Sequence, residues 1–146
     1  MKGIPIGKAE LLSAGEDIAI IAIGAGVAPS MEAAERMRAD GISVSVVNAR
    51  FVKPLDTELI TTVARGVNAV ITVEDGVLQG GFGSAVIECL ADYGVNNVKI
   101  KRIGIPDIFV DQGPQHLLRE QCGIDADGIY HVAKMLYPDF EKILTN

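Results

Sequence analysis

The sequence predicts an α/β fold, a three-layer αβα sandwich built around a mainly parallel, five-stranded sheet. Two observations lead to this prediction. Apolar, β-branched runs of strand length recur along the chain, and segments with apolar residues at helical spacing lie between them. Strands that alternate with helices favour a parallel sheet that helices cover on both faces.

The first predicted unit extends to Gly41. Residues 8–11 predict a short strand, and the continuous apolar run 17–23 is typical of a strand that is buried on both faces. A helix follows from Val27, and Gly41 is expected to end it.

The second unit repeats this pattern. The β-branched run 42–47 predicts the next strand. Asp56 is expected to cap a helix that continues through Val63. Residues 69–73 then predict a third buried strand.

The third unit begins with a clear helical stripe, formed by Phe82, Ala85, Val86, Cys89 and Leu90. Gly94 lies where a helix of this kind ends. The alternating run 98–103 predicts a more exposed strand.

Two short helices are expected to complete the chain. Pro114 and Gly123 bracket the first, and Asp125 is expected to cap the second. The inward face of the second is formed by Ile129, Val132, Ala133 and Leu136. We interpret residues 1–146 as one domain whose ends, 1–10 and 141–146, are loosely held.

Composition narrows the class of protein. A net charge of −6 and a pI near 4.8 argue against partners such as nucleic acid or an anionic membrane surface. No stretch reaches the roughly 20 apolar residues of a membrane span, and the N-terminus lacks the pattern of a signal peptide. The two cysteines show no CxxC spacing. We therefore expect a cytoplasmic protein with reduced thiols.

Gly24-Ala25-Gly26 lies where a dinucleotide-binding fingerprint would lie, between a strand and a helix. Pro29 replaces the third glycine, and Val47-Asn48 stands where the acidic residue is expected. A tight strand–helix turn is the simpler interpretation, and nucleotide binding remains the alternative.

Residues 80–84, Gly-Gly-Phe-Gly-Ser, begin the third-unit helix. Free N–H groups at a helix start attract anions, whereas glycines also allow another chain to approach closely. No Lys or Arg is near in sequence, and Glu74 and Asp75 precede the segment. We therefore favour close packing against a neighbouring domain over a phosphate site.

No motif assembles an active site by spacing. His116 and His131 have no ligand-like neighbours, and Ser84 is not part of a GxSxG turn. Phe51, between Arg50 and Lys53, would suit an interface, although a core position is equally compatible with the sequence.

Four stretches, taken in order, resemble one family. They are residues 46–56, 73–76, 80–86 and 104–113, and residues 5–10 and 123–129 resemble its start and its end. With these motifs the chain resembles the C-terminal domain of the transketolase family, most closely in its deoxyxylulose-phosphate synthase branch. Gln112 departs from that pattern, because the family often has His there.

The resemblance implies a function for a complete enzyme. Thiamine diphosphate and magnesium would serve the decarboxylation of pyruvate and its addition to glyceraldehyde 3-phosphate. The family binds the diphosphate and metal through a Gly-Asp-Gly motif in another domain, and this chain contains no such motif. We therefore expect this chain to hold no catalytic, cofactor-binding or metal-binding residue and to be inactive alone.

The resemblance also implies partners, namely the cofactor-binding domains of the same enzyme and, in the complete enzyme, a homodimer. We name the expected surface the contact edge and define it as Arg50, Phe51, Lys53, Glu74, Gly80, Gly81 and Phe82. Three alternatives stay open. The chain could be a subunit of a split transketolase or oxoacid dehydrogenase β-type enzyme, a dinucleotide-binding domain, or an independent interaction module.

Overall fold

A computed structural model describes residues 5–77, 81–105 and 120–136. Its sheet has five strands, β1 Glu10–Ser13, β2 Ile18–Ala22, β3 Val44–Asn48, β4 Ala69–Val77 and β5 Lys99–Ile105. Their order across the sheet is β1-β3-β2-β4-β5, and only β1 runs antiparallel to its neighbour. The predicted mainly parallel, five-stranded sheet is confirmed.

Helices cover both faces of this sheet. The described ones are α1 Val27–Ala39, α2 Thr57–Arg65, α3 Phe82–Asp92 and α4 Ala126–Leu136. Helices α1 and α4 pack on one face, and α2 and α3 pack on the other. The three-layer αβα sandwich is therefore confirmed as well.

Strand β2 lies at the centre and is buried along its whole length. Ile18 and Ile20 face the layer of α1 and α4, whereas Ala19 and Ile21 face the layer of α2 and α3. Each fully buried Ile side chain contributes about 1.5–3 kcal/mol relative to an exposed one. This burial on both faces explains why the sequence of β2 is continuously apolar rather than alternating between apolar and polar residues.

Glycines end α1 and α3 in the same way. At α1 the φ of Gly41 is 88°, its N–H donates to Arg38 O, and the N–H of Ile42 donates to Met37 O. At α3 the φ of Gly94 is 75°, and Val95 N–H donates to Leu90 O. Glycine accepts this left-handed backbone without a steric penalty, so both predicted helix ends are confirmed.

The predicted caps at helix starts are confirmed too. The carboxylate of Asp56 accepts the N–H of Leu59 at 3.1 Å, and that of Asp125 accepts the N–H of Gly128 at 2.7 Å. Each side chain thereby satisfies one of the N–H groups that a first helical turn leaves without a backbone partner.

Some boundaries differ from the sequence prediction. Strand β1 begins at Glu10 rather than at Lys8, because Pro5–Lys8 forms a turn closed by a hydrogen bond from Lys8 N to Pro5 O. Strand β4 continues to Val77, because it pairs with β5 again beyond an irregularity.

Several predictions fall on residues outside the described ranges. They include most of the helix between Pro114 and Gly123, with His116, and the chain ends at 1–4 and 141–146. None of the helices within the described ranges is both long and apolar enough to span a membrane.

The turn after β2 packs directly against β4. Ile23 N–H donates to Val73 O at 3.1 Å, and the φ of Gly24 is 59°. A Cβ added at Gly26 would lie 2.8 Å from Val73 Cγ1 and 2.9 Å from Val73 O. Backbone conformation therefore explains Gly24, and close packing explains Gly26.

We predict that Gly26→Ala lowers the free energy of unfolding by about 1–3 kcal/mol, because the added methyl group overpacks against the β4 backbone. Gly66→Ala is the matched control, since a Cβ there meets nothing nearer than 3.6 Å. The control should be neutral or stabilising by up to about 1 kcal/mol. Urea denaturation of both variants measures the difference, and equal stabilities would contradict the prediction.

Candidate functional site

The carboxyl ends of the parallel strands β2 to β5 share one border of the sheet, which we call the carboxyl edge. The strand order reverses there, since β3 lies on one side of β2 and β4 on the other. Ligands and partners of open α/β sheets meet this border at such a reversal. The described members of the contact edge follow or end strands β3 and β4.

Glu74 is the most constrained of these residues. It lies in β4 and only 3% of its surface is exposed. Its Oε1 accepts the N–H of Phe82 at 3.0 Å, and its Oε2 accepts the N–H of Gly83 at 2.6 Å. One carboxylate thus binds two N–H groups in the first turn of α3, where the helix dipole also favours negative charge.

An irregularity in β4 accompanies this contact. Val73 pairs with Ile103 and Val77 pairs with Ile105, so three residues of β4, 74–76, lie opposite a single residue of β5. Glu74 lies within this interval. A bulge of this kind changes the direction of a side chain and ends regular pairing, and such bulges are common beside functional sites.

Gly83 lets α3 approach the sheet closely. A Cβ added at Gly83 would lie 2.8 Å from Thr72 Oγ1 and 3.0 Å from Arg102 Cδ. A larger residue would separate the first turn of α3 from β4 and β5. The short distances from Glu74 to α3 therefore depend on glycine at this position.

Burial raises the pKa of Glu74 above its ordinary value. The hydrogen bonds from Gly83 and Phe82 and the positive charge of Arg102 lower the pKa, whereas the charge of Asp75 raises it further. Loss of water is the largest of these effects, so the net pKa is raised.

The contact between Glu74 and α3 weakens the hypothesis that the start of α3 binds an anion. The carboxylate of Glu74 already occupies the N–H groups of Phe82 and Gly83. In addition, Arg102 donates from β5 to the hydroxyl of Ser84 at 3.0 Å. Sequence reasoning found no cation near this segment, because Arg102 arrives through pairing of β5 with β4 rather than through sequence proximity.

Arg50 follows β3 in a tight turn. Its φ is 62°, its N–H donates to Asn48 Oδ1 at 3.2 Å, and the next N–H, of Phe51, donates to Ala49 O at 2.6 Å. A left-handed backbone at a residue other than glycine costs about 1–2 kcal/mol, and such conformations cluster at functional sites. The guanidinium of Arg50 also forms an ion pair with Glu10 of β1.

The other members of the contact edge differ in exposure. Lys53 is exposed, and Phe51 and Gly81 are half-buried. Phe82 belongs to the core between the sheet and α2 and α3, with only 3% of its surface exposed. Gly80 lies outside the described ranges, as does Gln112. Because Glu74 and Phe82 are buried, they can support the contact edge but cannot themselves contact a partner.

No catalytic constellation is visible in the ranges 5–77, 81–105 and 120–136. Within them, no group of three or more His, Cys, Asp or Glu side chains could hold a metal ion. The hydroxyl of Ser84 is bonded to Arg102. The expectation that this chain holds no catalytic or metal-binding residue stays a prediction.

Comparison with known families gives one match over most of the chain. The family described as "Transketolase, C-terminal domain" matches residues 7–129. A similar protein is "1-deoxy-D-xylulose-5-phosphate synthase 1" of Geobacter sulfurreducens, 57% identical over 88% of this chain and 20% of that protein. The synthase of Heliobacterium modesticaldum is 50% identical over 91% of this chain and 20% of its own length.

A solved structure is similar as well. It is described as "Split gene transketolase, inactive beta4 tetramer", with a TM-score of 0.80 and 32% identity over 97% of this chain and 44% of that chain. This chain therefore spans about a fifth of the length of the two synthases and less than half of the solved chain.

We predict that Glu74→Ala lowers the free energy of unfolding by about 1–3 kcal/mol, because it leaves two N–H groups of α3 without an acceptor. Glu35→Ala, at an exposed position of α1, removes the same charge and should change stability by less than about 0.5 kcal/mol. Urea denaturation measures both values. Faster hydrogen exchange at Phe82 and Gly83 in the first variant would place the loss in α3.

The raised pKa of Glu74 predicts a pH dependence. Because the pKa in the folded state lies above the ordinary 4.5, ionisation of this group favours the unfolded state. Its contribution is fully present below pH 4.5 and is lost as pH rises through the folded pKa. The stability of the wild type minus that of Glu74→Gln should therefore decrease as pH rises. Urea denaturation across a pH series measures this difference, and an increase would contradict the prediction.

Proposed function

The chain belongs to the transketolase C-terminal domain family, and from this premise we propose that it serves as the non-catalytic C-terminal domain of a 1-deoxy-D-xylulose-5-phosphate synthase. The complete enzyme would convert pyruvate and glyceraldehyde 3-phosphate to deoxyxylulose 5-phosphate and carbon dioxide. Identity of 57% to a synthase supports this branch of the family. In this proposal the chemistry resides in domains that this chain does not contain.

The contact between Glu74 and α3 is the observation that carries the non-catalytic role. A helix start is the usual place for a diphosphate, yet Glu74 places its own carboxylate on two N–H groups there. The sequence also lacks the family's Gly-Asp-Gly motif. The described residues therefore do not fit thiamine diphosphate and magnesium, which we assign to the other domains.

The role that we propose for this chain is support through the contact edge. Arg50, Phe51 and Lys53 would face a neighbouring domain, while Glu74 and Phe82 would hold the first turn of α3, with Gly81, in position. Rigid presentation lowers the entropic cost of docking. The homodimer of the complete enzyme and its cytoplasmic location remain predictions from the sequence.

A subunit of a split enzyme is the second candidate. The similar solved chain is described as the product of a split gene and as an inactive tetramer. In that case the cofactor domains would be a separate polypeptide, and this chain would still have a non-catalytic role. The dinucleotide alternative has less support, because Gly24 and Gly26 are explained by the turn against Val73.

We predict that the isolated chain does not bind thiamine diphosphate, with or without magnesium. Isothermal titration calorimetry measures this, and the Geobacter sulfurreducens synthase serves as a positive control. Dissociation constants in the micromolar range, which correspond to about −8 kcal/mol, would contradict the non-catalytic assignment.

We also predict that this chain can replace its counterpart in a synthase. In a chimera of the Geobacter sulfurreducens synthase, this chain takes the place of the matching part. The chimera should keep kcat/KM within about tenfold of the parent, equivalent to about 1.4 kcal/mol, whereas the synthase without that part should be inactive. A folded but inactive chimera would argue against the proposed function.

A further inference from the structure

A hollow lies at the border of the sheet where β4 and β5 begin, which we call the amino edge. It is on the opposite side of the sheet from the carboxyl edge, between the C-terminal ends of α2 and α3 and the connection that leads to β5. Its volume is about 250 Å³. Sites for drug-sized ligands typically measure about 300–1,000 Å³, so this hollow suits a smaller molecule.

Small apolar residues form one part of the lining of this hollow. They are Ala64, Val67, Val95 and Val98, of which the first three are buried and the last is half-buried. An aliphatic group of a ligand that contacts these residues leaves water, and this transfer is favourable. The hollow therefore suits a ligand that carries a short hydrocarbon group.

Arg65, the last residue of α2, adds a positive charge to the lining. Its guanidinium donates to Tyr93 O at 3.0 Å, and this bond holds the side chain across the ends of both helices. Among the described residues, Arg36 and Arg50 form ion pairs with carboxylates, whereas Arg65 forms none. A guanidinium has five N–H donors, so Arg65 retains donors for the carboxylate of a ligand.

The helix ends add partial negative charge to the same hollow. Because α2 and α3 both end there, the negative ends of two helix dipoles meet, and such ends favour cations. Within the described part of the chain, the carbonyl groups of Gly94 and Val95 accept no hydrogen bond from a backbone N–H. Asn96 and Asn97 contribute side-chain carbonyl oxygens to the lining. An ammonium group would therefore be stabilised beside these oxygens.

We propose that the hollow at the amino edge binds a small aliphatic α-amino acid. The carboxylate of the amino acid pairs with Arg65, its ammonium group faces the carbonyl oxygens at the helix ends, and its side chain contacts the apolar residues. The guanidinium and the helix ends favour opposite charges, so a ligand with a single charge satisfies only part of the lining. This inference is independent of the proposed function, because the hollow lies at the other border of the sheet from the contact edge.

Titration of the isotope-labelled chain with L-valine, followed by NMR at neutral pH and constant ionic strength, tests this inference. The amide signals of residues 65 and 94–98 should shift and reach saturation in the millimolar range, because the charged groups are exposed to solvent. The signals of α4 should not move. Valine in excess should also raise the melting temperature, since it binds the native state. The absence of saturable shifts at residues 65 and 94–98 would overturn the inference.

Two analogues of valine separate the contributions of its charged groups. Isovalerate has the carboxylate without the ammonium group, and isobutylamine has the ammonium group without the carboxylate. Each should bind at least about fivefold more weakly than valine, because each leaves one set of polar groups in the lining without a partner. If either analogue binds as tightly as valine, the site does not recognise both charges and the inference is wrong.

Variants with matched charge changes test the residues that hold the ligand. Arg65→Gln should weaken valine binding at least about fivefold, whereas Lys101→Gln, at an exposed position of β5, should change it by less than about twofold. Asn97→Ala leaves the bond from Arg65 to Tyr93 in place and should weaken binding about threefold. Melting temperatures without ligand show whether each variant is folded. Equal valine affinities of the Arg65, Asn97 and Lys101 variants would overturn the inference.

Discussion

The carboxylate of Glu74 joins the end of the central sheet to the start of a covering helix, and the carboxyl edge depends on that contact. The two N–H bonds at 3.0 and 2.6 Å fix the first turn of α3 over β4 and β5. Gly83 makes the approach possible, because no side chain separates the helix from Thr72. The electrostatic cost appears as a raised pKa, which the hydrogen bonds and Arg102 only partly offset. A buried carboxyl group is thus accommodated where it satisfies backbone donors.

Other polar side chains along the carboxyl edge also bond to neighbouring parts of the domain. Asp56 satisfies N–H groups of Ala9 and Leu59, Glu10 pairs with Arg50, and Arg102 bonds to Ser84. Each of these polar groups bonds to another part of the same domain. An active site needs groups that change partners during a reaction, whereas a docking surface benefits from groups that are already fixed. In the described part of this edge the polar groups are already fixed, as in a docking surface, which agrees with a supporting role for the domain.

Sequence reasoning could predict the three layers, the mainly parallel sheet and the helix caps, because these follow from local patterns along the chain. The two-sided burial of β2 and the glycine ends of α1 and α3 are examples. It could not place Arg102 beside Ser84 or explain Gly26, because both depend on which strands become neighbours. The positive φ of Arg50 was also beyond reach, since no side-chain rule demands it. Glu74 was singled out from its position, but its bonds to α3 and the irregularity in β4 that accompanies them were not predicted.

That irregularity has a consequence for how relatives of this domain can diverge. Residues 74–76 are accommodated between two correctly paired stretches, Val73 with Ile103 and Val77 with Ile105. A slip of one residue in a regular strand would exchange its inner and outer faces, but extra residues confined to a bulge leave the paired stretches in register. Insertions or deletions at residues 75 and 76, beside Glu74, would alter the rim of the sheet while the paired stretches stay in register. Homologous enzymes could therefore remodel the surface that meets their other domains without rewriting the hydrophobic core.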